Sequence, residues 1–239
     1  MIAPGDRGRG SRPVIAPGIA PGIEAGPDLG VRATVRYRRP FMRATRVLLL
    51  RHGQSTWNAK GRWQGQADPP LSGLGRVQAA AAANALGALD AVVSSDLHRA
   101  AETAAVIAGA LGIGPVLADE RLRERDAGDW TGLTRAEIET GWPGFLAGDR
   151  RPPGWEPGPI VAARALAALF ELHARMPGAD VVVVTHSGVI RSVEEHLGGA
   201  QHFHLNLGGA WFEIDGEDVR GGERVTLIDH DAVAATVIE

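Results

Sequence analysis

Two histidines directly follow short apolar runs of the sequence, where strands of a sheet would end. Arg51-His52 follows the first run, and His186-Ser187 follows a run of four valines. Parallel strands end at a shared edge of their sheet, where helix N-termini also point. Arg99 falls in the first turn of the helix predicted after another apolar run. Guanidinium groups and free backbone N–H groups both suit phosphate oxygens, so this spacing predicts an anion-binding site.

Five blocks of residues between position 46 and about position 198 carry a resemblance to a known family. They are Arg51-His52-Gly53-Gln54-Ser55-Thr56-Trp57-Asn58, Leu71-Ser72-x-x-Gly75, Ser94-Ser95-Asp96-Leu97-x-Arg99-Ala100-x-x-Thr103-Ala104, Leu122-x-Glu124 with Gly128-Asp129-Trp130-x-Gly132, and Thr185-His186-Ser187-Gly188. In this order they resemble the histidine phosphatase superfamily, which contains the cofactor-dependent phosphoglycerate mutases and their phosphatase relatives. A motif counts only in its context, and here five motifs occur in the family's order.

The resemblance implies a role for each matching residue. His52 is the expected nucleophile, which carries the phosphoryl group as a covalent intermediate, and Arg51, Arg99 and His186 are expected to hold its oxygens. Glu124 is the expected general acid and base, although Glu120 and Asp126 lie close enough in sequence to be aligned in its place. Further contacts to phosphate or substrate are expected from Asn58, Gln64, Gly65 and Ser187. No metal and no cofactor are expected, because the arginines supply the positive charge.

The segment between the candidate acid and the second histidine favours a phosphatase over a mutase. It has 61 residues, with few basic side chains and a loop of Pro, Gly and Trp. Mutases of the family resemble one another in a longer, more basic insertion that retains a bisphosphorylated intermediate. A shorter lid favours hydrolysis, so we expect a phosphomonoesterase, with a mutase and a non-catalytic phospholigand-binding module as the alternatives.

The expected substrate is a small phosphorylated metabolite. Residues Gln64-Gly65-Gln66-x-Asp68 resemble actinobacterial phosphatases, one of which acts on glucosyl-3-phosphoglycerate, so a phosphoglycerate or a sugar phosphate is the expected class. The stretch Gly154-Trp155-Glu156-Pro157 departs from the Gly-Gly-Glu-Ser-like pattern usual in those relatives, which weakens the inference about substrate more than that about chemistry.

Three other features are interpreted as structural or peripheral. His202-Phe203-His204 has the spacing of two metal ligands on one face of a strand but lacks a carboxylate or Cys partner at ligand spacing. Glu194-Glu195 lacks the second His of a helical zinc motif and is predicted to be a solvated face. Trp142 and Trp155 fall in a Pro/Gly-rich loop, which predicts a lid over the substrate.

Strands and helices alternate along the chain and predict an α/β fold. Strands are predicted at 47–50, 91–94 and 181–184, and helices at 72–86, 97–111, from Thr134, at 160–175 and from Ser187 to Leu197-Gly198. Ser72 and Ser187 are the predicted N-caps, and Thr134 with Glu137 has capping-box spacing. The expected architecture is a three-layer sandwich, with a mostly parallel sheet and helices on both faces.

Composition separates an N-terminal segment from the rest of the chain. Of 239 residues, the first 44 contain eight Arg against three acidic residues, together with seven Gly and six Pro. Residues 1–44 are therefore predicted to be a disordered tail, with the true start of the protein at Met42 as an alternative, and residues 45–239 to be the catalytic domain.

The chain has no cysteine, which excludes thiol catalysis and a disulfide framework. No signal or anchor is apparent, so a cytoplasmic protein that binds neither membrane nor nucleic acid is expected, with a homodimer left open.

Overall fold

The computed structural model describes residues 43–148, 150–200 and 202–235. Its elements, in chain order, are β1 (Thr45–Arg51), α1 (Gly73–Ala85), β2 (Ala91–Ser94), α2 (His98–Leu111), β3 (Leu117–Ala118), α3 (Arg135–Gly141), α4 (Gly158–Arg175), β4 (Asp180–Thr185), α5 (Ser187–His196), β5 (Gly208–Asp215), β6 (Asp218–Thr226) and α6 (His230–Ala235). Residues 1–42 of the predicted tail lie outside the described residues.

The strands form one six-stranded sheet in the order β3-β2-β4-β1-β5-β6. The first four are mutually parallel, whereas β5 pairs antiparallel with β1 and β6 pairs antiparallel with β5. The sheet is mixed α/β with its parallel strands in the majority, which confirms the predicted fold class. The antiparallel β5–β6 hairpin was not predicted from the sequence.

The central strands β1 and β4 are buried on both faces, since successive side chains point to opposite sides of the sheet and helices cover both sides. Val47 and Leu49 of β1 pack with apolar residues of α4 and α5 on one face. Leu48 and Leu50 pack with α1 and α2 on the other face. All four are fully buried, so β1 is a central strand and its end is held rigidly.

Several helix boundaries follow the predicted chemistry. Ser72 accepts a hydrogen bond from the backbone of Gly75 at the start of α1, and Thr134 and Glu137 form a capping box at α3. Gly112 closes α2 in a left-handed conformation with φ 67°. The prediction that Ser187 caps α5 was wrong: His186 occupies the cap position, and Ser187 is the first helical residue. In the described part of the chain, no helix has the length and apolar character needed to cross a membrane.

Candidate active site

The two histidines meet because the strands that carry them are neighbours. Arg51 at the end of β1 is in register with Thr185 at the end of β4, and the backbone N–H of His52 donates to the carbonyl oxygen of Thr185 at 3.0 Å. The ring centroids of His52 and His186 lie 5.1 Å apart. The sheet itself therefore sets the separation of this pair.

Hydrogen bonds to both ring nitrogens define the tautomer of His52. Its Nδ1 lies 2.6 Å from the carbonyl oxygen of Gly53, an acceptor, so the proton is on Nδ1. The Nε–H of Arg99 donates to Nε2 at 3.2 Å, which leaves the ring lone pair on Nε2. Burial, followed by the charges of Arg99 and Arg51, holds the pKa of His52 well below 6.5. The imidazole is therefore neutral near pH 7.

Arg99 is fully buried at the N-terminus of α2 and is held by the loop before α1. Its two terminal nitrogens donate to the carbonyl oxygens of Ala67 at 2.7 Å and Gly65 at 2.9 Å. Thr103, one turn later, accepts from the N–H of Gly53 at 3.1 Å and donates to the carbonyl oxygen of Arg99 at 2.7 Å. Burial lowers the pKa of Arg99 to about 10, so its side chain keeps its positive charge at neutral pH.

Arg51 is anchored by the segment that precedes β5. Its Nη1 donates to the carbonyl oxygen of His204 at 2.7 Å, and its guanidinium lies 5.1 Å from the ring centroid of Phe203. The side chain of Asn206 donates to the carbonyl oxygen of His52 at 2.8 Å. Burial lowers the pKa of Arg51 to about 10, partly opposed by the charge of Glu124. A segment far along the chain thus holds both residues of the Arg-His pair.

His186 is fully buried between the two arginines and His52. Neither ring nitrogen has a hydrogen-bond partner among the described residues. Burial is the main cause that holds its pKa well below 6.5, with Arg99 and His52 adding to the effect. Two neutral imidazoles and two guanidiniums thus share one buried edge of the sheet.

The carboxylate of Glu124 lies against the first turn of α5. Its carboxylate accepts from the backbone N–H of Arg125 at 2.8 Å and of Gly188 at 3.3 Å. A Cβ atom at position 188 would overlap this carboxylate, so the close approach requires glycine. Arg164 of α4 donates to the carbonyl oxygen of Glu124 at 3.1 Å and also bonds Glu156, which fixes the backbone that carries the acid.

A cavity of about 280 Å³ opens onto this edge of the sheet. Six of the nine predicted site residues line it: Arg51, Asn58, Gln64, Gly65, Glu124 and Ser187. The other three, His52, Arg99 and His186, are buried and do not line the cavity. Ser55 joins two of the lining residues, because its hydroxyl donates to Gln64 at 2.6 Å and accepts from the N–H of Asn58 at 3.0 Å. The structure therefore brings the nine predicted site residues to one edge of the sheet, six at the cavity wall and three buried next to it.

The cavity also has lining residues that the sequence did not single out as contacts. They are three arginines and two large aromatic residues, namely Arg62, Arg125, Arg191, Trp63 and Phe203. Trp155 of the predicted lid lines the cavity and Trp142 does not, although both pack against the apolar cluster of Ala127, Trp130 and Ile138. Two of these arginines could have been predicted as cavity residues, because Arg125 and Arg191 follow shortly after two of the quoted motifs.

Two interpretations of peripheral residues were wrong. Glu194 is buried rather than solvated: its carboxylate bonds His204 at 3.0 Å and Arg224 at 2.7 Å. The segment that carries His202 and His204 is not a strand. Among the described residues, no group of three His, Cys, Asp or Glu side chains is placed to hold a metal ion.

Comparison with known proteins identifies the relatives of this chain. Residues 47–208 match the histidine phosphatase superfamily (branch 1). The chain is 43% identical over 171 residues to a glucosyl-3-phosphoglycerate phosphatase of Mycobacterium tuberculosis, an alignment that covers 65% of this chain and 76% of that protein. It is 38% identical over 159 residues to a metal-independent phosphoserine phosphatase of Arabidopsis thaliana, covering 62% and 67% of the two chains.

A solved structure shows the same similarity in three dimensions. The complex of a mycobacterial glucosyl-3-phosphoglycerate phosphatase with VO3 superimposes with a TM-score of 0.65 at 36% identity, covering 74% of this chain and 96% of that chain.

Proposed function

The chain belongs to the histidine phosphatase superfamily and is a phosphoric monoester hydrolase, and from that premise we propose that it cleaves esters of small metabolites through a phosphohistidine on His52. The observation that carries the proposal is the tautomer of His52. Its Nδ1–H is engaged by Gly53, and its Nε2 lone pair accepts from a cationic Arg99. A neutral imidazole whose Nε2 carries a lone pair and no proton is the form of histidine that attacks phosphorus.

In the first step, Nε2 of His52 attacks the phosphorus atom and the bond from phosphorus to the ester oxygen breaks. Arg51, Arg99 and His186 stabilise the charge on the three equatorial oxygens, which is where most of the stabilisation in phosphoryl transfer acts. Glu124, protonated at this stage, transfers its proton to the departing oxygen, so the product leaves as a neutral alcohol.

In the second step, Glu124 removes a proton from a water molecule, and the water oxygen attacks the phosphorus atom. The N–P bond breaks, its electron pair returns to Nε2 of His52, and inorganic phosphate is released. One carboxylate thus works in both directions. Its position supports this role, because the N–H groups of Arg125 and Gly188 hold its carboxylate at the cavity that Arg51 also lines.

The substrate class proposed is a phosphoglycerate or a sugar phosphate. The name of one relative supports this class, since that protein acts on glucosyl-3-phosphoglycerate, and the phosphoserine phosphatase supports a small phosphomonoester in general. A cavity of about 280 Å³ suits the alcohol part of a small metabolite and not a folded macromolecule. The proposal retains the cytoplasmic location expected from the sequence.

The decisive experiment measures phosphate release from p-nitrophenyl phosphate, 3-phosphoglycerate and hexose phosphates in EDTA. His52→Ala is compared with His196→Ala, which removes an exposed histidine from the same chain. We expect His52→Ala to lose at least about 10³-fold in kcat, because it removes the nucleophile, and His196→Ala to match the wild type. Alkaline quenching during turnover should leave label from a ³²P-ester on the wild type and on His196→Ala but not on His52→Ala, since phosphohistidine survives base.

Other outcomes would overturn the proposal in defined ways. Turnover that survives His52→Ala would exclude the covalent route. Isomerisation of 3-phosphoglycerate faster than phosphate release would identify a mutase. No turnover of any ester, with phosphate binding retained, would identify a binding module.

A further inference from the structure

A second cavity of about 360 Å³ adjoins the first one. The two share Trp63, Trp155, Arg125 and Arg191 as common walls. Arg151 and Pro159 line the second cavity and not the first, so it adds space beyond the walls that the two cavities share. A substrate whose phosphate lies over His52 would therefore have room for a leaving group that reaches into this space.

The second cavity has an excess of positive charge. Three arginines line it, Arg125, Arg151 and Arg191, against one carboxylate, Glu195. Arg191 is half-buried and makes no hydrogen bond or ion pair with any of the described residues. The Nε atom of Arg125 is buried and also lacks a partner among them, while its Nη2 donates to Ser192 at 2.7 Å.

Arg125 and Arg191 are close enough to repel each other. Burial, followed by the charge of Arg191, lowers the pKa of Arg125, and the charges of Glu124, Glu195 and Glu156 oppose this only in part. Two like charges at one wall raise the free energy of the empty site, and a bound anion would relieve that repulsion.

The indole of Trp155 forms the wall beside these arginines. Arg125 lies 5.2 Å and Arg151 5.5 Å from its ring centroid, and Trp63 packs beside it with centroids 5.9 Å apart. Both guanidiniums lie over the Trp155 ring, so its indole holds the two charges at the cavity wall, and Trp63 adds apolar surface next to them. The wall therefore suits a leaving group that is partly apolar and partly anionic.

We propose that Arg191, with Arg125 and the face of Trp155, forms a leaving-group subsite that binds a second acidic group on the alcohol part of the substrate. The proposal rests on the phosphatase function proposed above and makes Arg191 a specificity residue. The group bound there is an anion, either a carboxylate or a second phosphate of the substrate.

The test compares matched esters that differ only in the second acidic group. One pair is 3-phosphoglycerate and glycerol 3-phosphate, and the other is 1,3-propanediol bisphosphate and its monophosphate. In the wild type we expect kcat/KM to be about tenfold or more higher for the anionic member of at least one pair, the effect of a charge-assisted contact. The pair with the larger ratio distinguishes carboxylate from phosphate.

Arg191→Gln should reduce that ratio about tenfold, mainly through KM, because the lost contact holds the substrate and does not touch the phosphoryl group. Arg220→Gln is the matched control, since Arg220 is exposed, pairs with Glu213 at 4.0 Å, and lies outside both cavities. It should leave the ratio unchanged. Arg191→Met is a second variant that keeps an aliphatic side chain but lacks the polar amide of Gln, and it should reduce the ratio in the same way.

Each result decides the matter. A wild type that hydrolyses p-nitrophenyl phosphate but has ratios near one overturns the subsite while the phosphatase stands. Ratios that survive both Arg191 variants also overturn it. A wild type with no activity on any ester, p-nitrophenyl phosphate included, overturns the phosphatase and the subsite together.

Discussion

The buried histidines predict that the protein loses stability as pH falls from 6.5 to 5. His52, His186 and His204 are each nearly inaccessible to solvent, and burial lowers the pKa of all three below 6.5. In the unfolded chain a histidine takes up a proton near pH 6.5. Between that pH and its folded pKa, each of these histidines is charged only when the chain is unfolded. Acid therefore favours the unfolded state, and the effect is absent above pH 6.5.

The size of the effect follows from linkage. One proton per histidine corresponds to about 1.4 kcal/mol per pH unit, so each histidine whose folded pKa lies below 5.5 costs about 1.4 kcal/mol by that pH. His52 and His186, whose pKa values burial holds well below 6.5, together cost about 3 kcal/mol, a large fraction of the 5–15 kcal/mol typical of a domain, and His204 acts in the same direction. The carboxyls with lowered pKa values, such as Asp96 and Asp119, are protonated only at still lower pH, so this window isolates the histidines.

Urea unfolding at pH 7.5, 6.5 and 5.5 measures the effect, with His52→Asn, His186→Asn and the exposed-site control His196→Asn beside the wild type. Each buried-site variant should reduce the loss between pH 7.5 and 5.5 by about 1.4 kcal/mol, whatever its absolute stability, because it removes one proton-binding group. The control should lose as much as the wild type. A wild-type free energy of unfolding that changes by less than about 1 kcal/mol over this range would refute the reasoning.

Three further predictions concern activity and its support. Because the pKa of His52 is low, kcat/KM should begin to fall on the acid side only below pH 6.5. A pH–rate profile on p-nitrophenyl phosphate should therefore still be near its maximum at pH 6.5, and a decrease centred above pH 7 would contradict this. Thr103→Val removes two buried hydrogen bonds, one to the N–H of Gly53 and one to the carbonyl oxygen of Arg99, and should lower the free energy of unfolding in urea by about 1–3 kcal/mol. The control is the exposed Thr140→Val, which removes one bond to a helix carbonyl and should lower that free energy by only a few tenths of a kcal/mol. Gly188→Ala displaces the Glu124 carboxylate and should lower kcat for alkyl phosphates, whose leaving oxygen needs a proton, about tenfold more than for p-nitrophenyl phosphate; equal losses would argue against Glu124 as the acid.

Local signals in the sequence predicted most of the parallel sheet and its helices. The apolar runs before His52 and His186 are buried on both sheet faces, so they contain no polar interruption and were recognised directly. The β5–β6 hairpin was missed because β6 is an exposed edge strand of Gly and charged residues, without the alternation of a half-buried strand. Such a strand is specified by its partner and not by its own sequence.

Side chains that depend on distant partners could not be predicted in the same way. Glu194 has the pattern of a solvated helix face, yet two later segments supply His204 and Arg224 to cover it. Arg125 and Arg191 lie far apart in sequence and meet only because α5 packs beside the segment that carries Glu124. The hydrophobic periodicity of the sequence cannot predict such a contact, because the contact depends on the tertiary packing.

The central position of β1 has a consequence for synthesis on the ribosome. Thr45 pairs with Ile214 and Arg51 with Thr185, so both neighbours of this strand are translated more than 120 residues after it. At roughly 5–20 residues per second, its backbone N–H and C=O groups wait on the order of ten seconds for a strand partner, whereas α1 and α2, which cover Leu48 and Leu50, are translated earlier. Arg51 gains its backbone anchor, the carbonyl of His204, later still. The site of a nascent chain is therefore complete only when nearly all of the chain has emerged, and β1 has no partner strand until β4 has been translated.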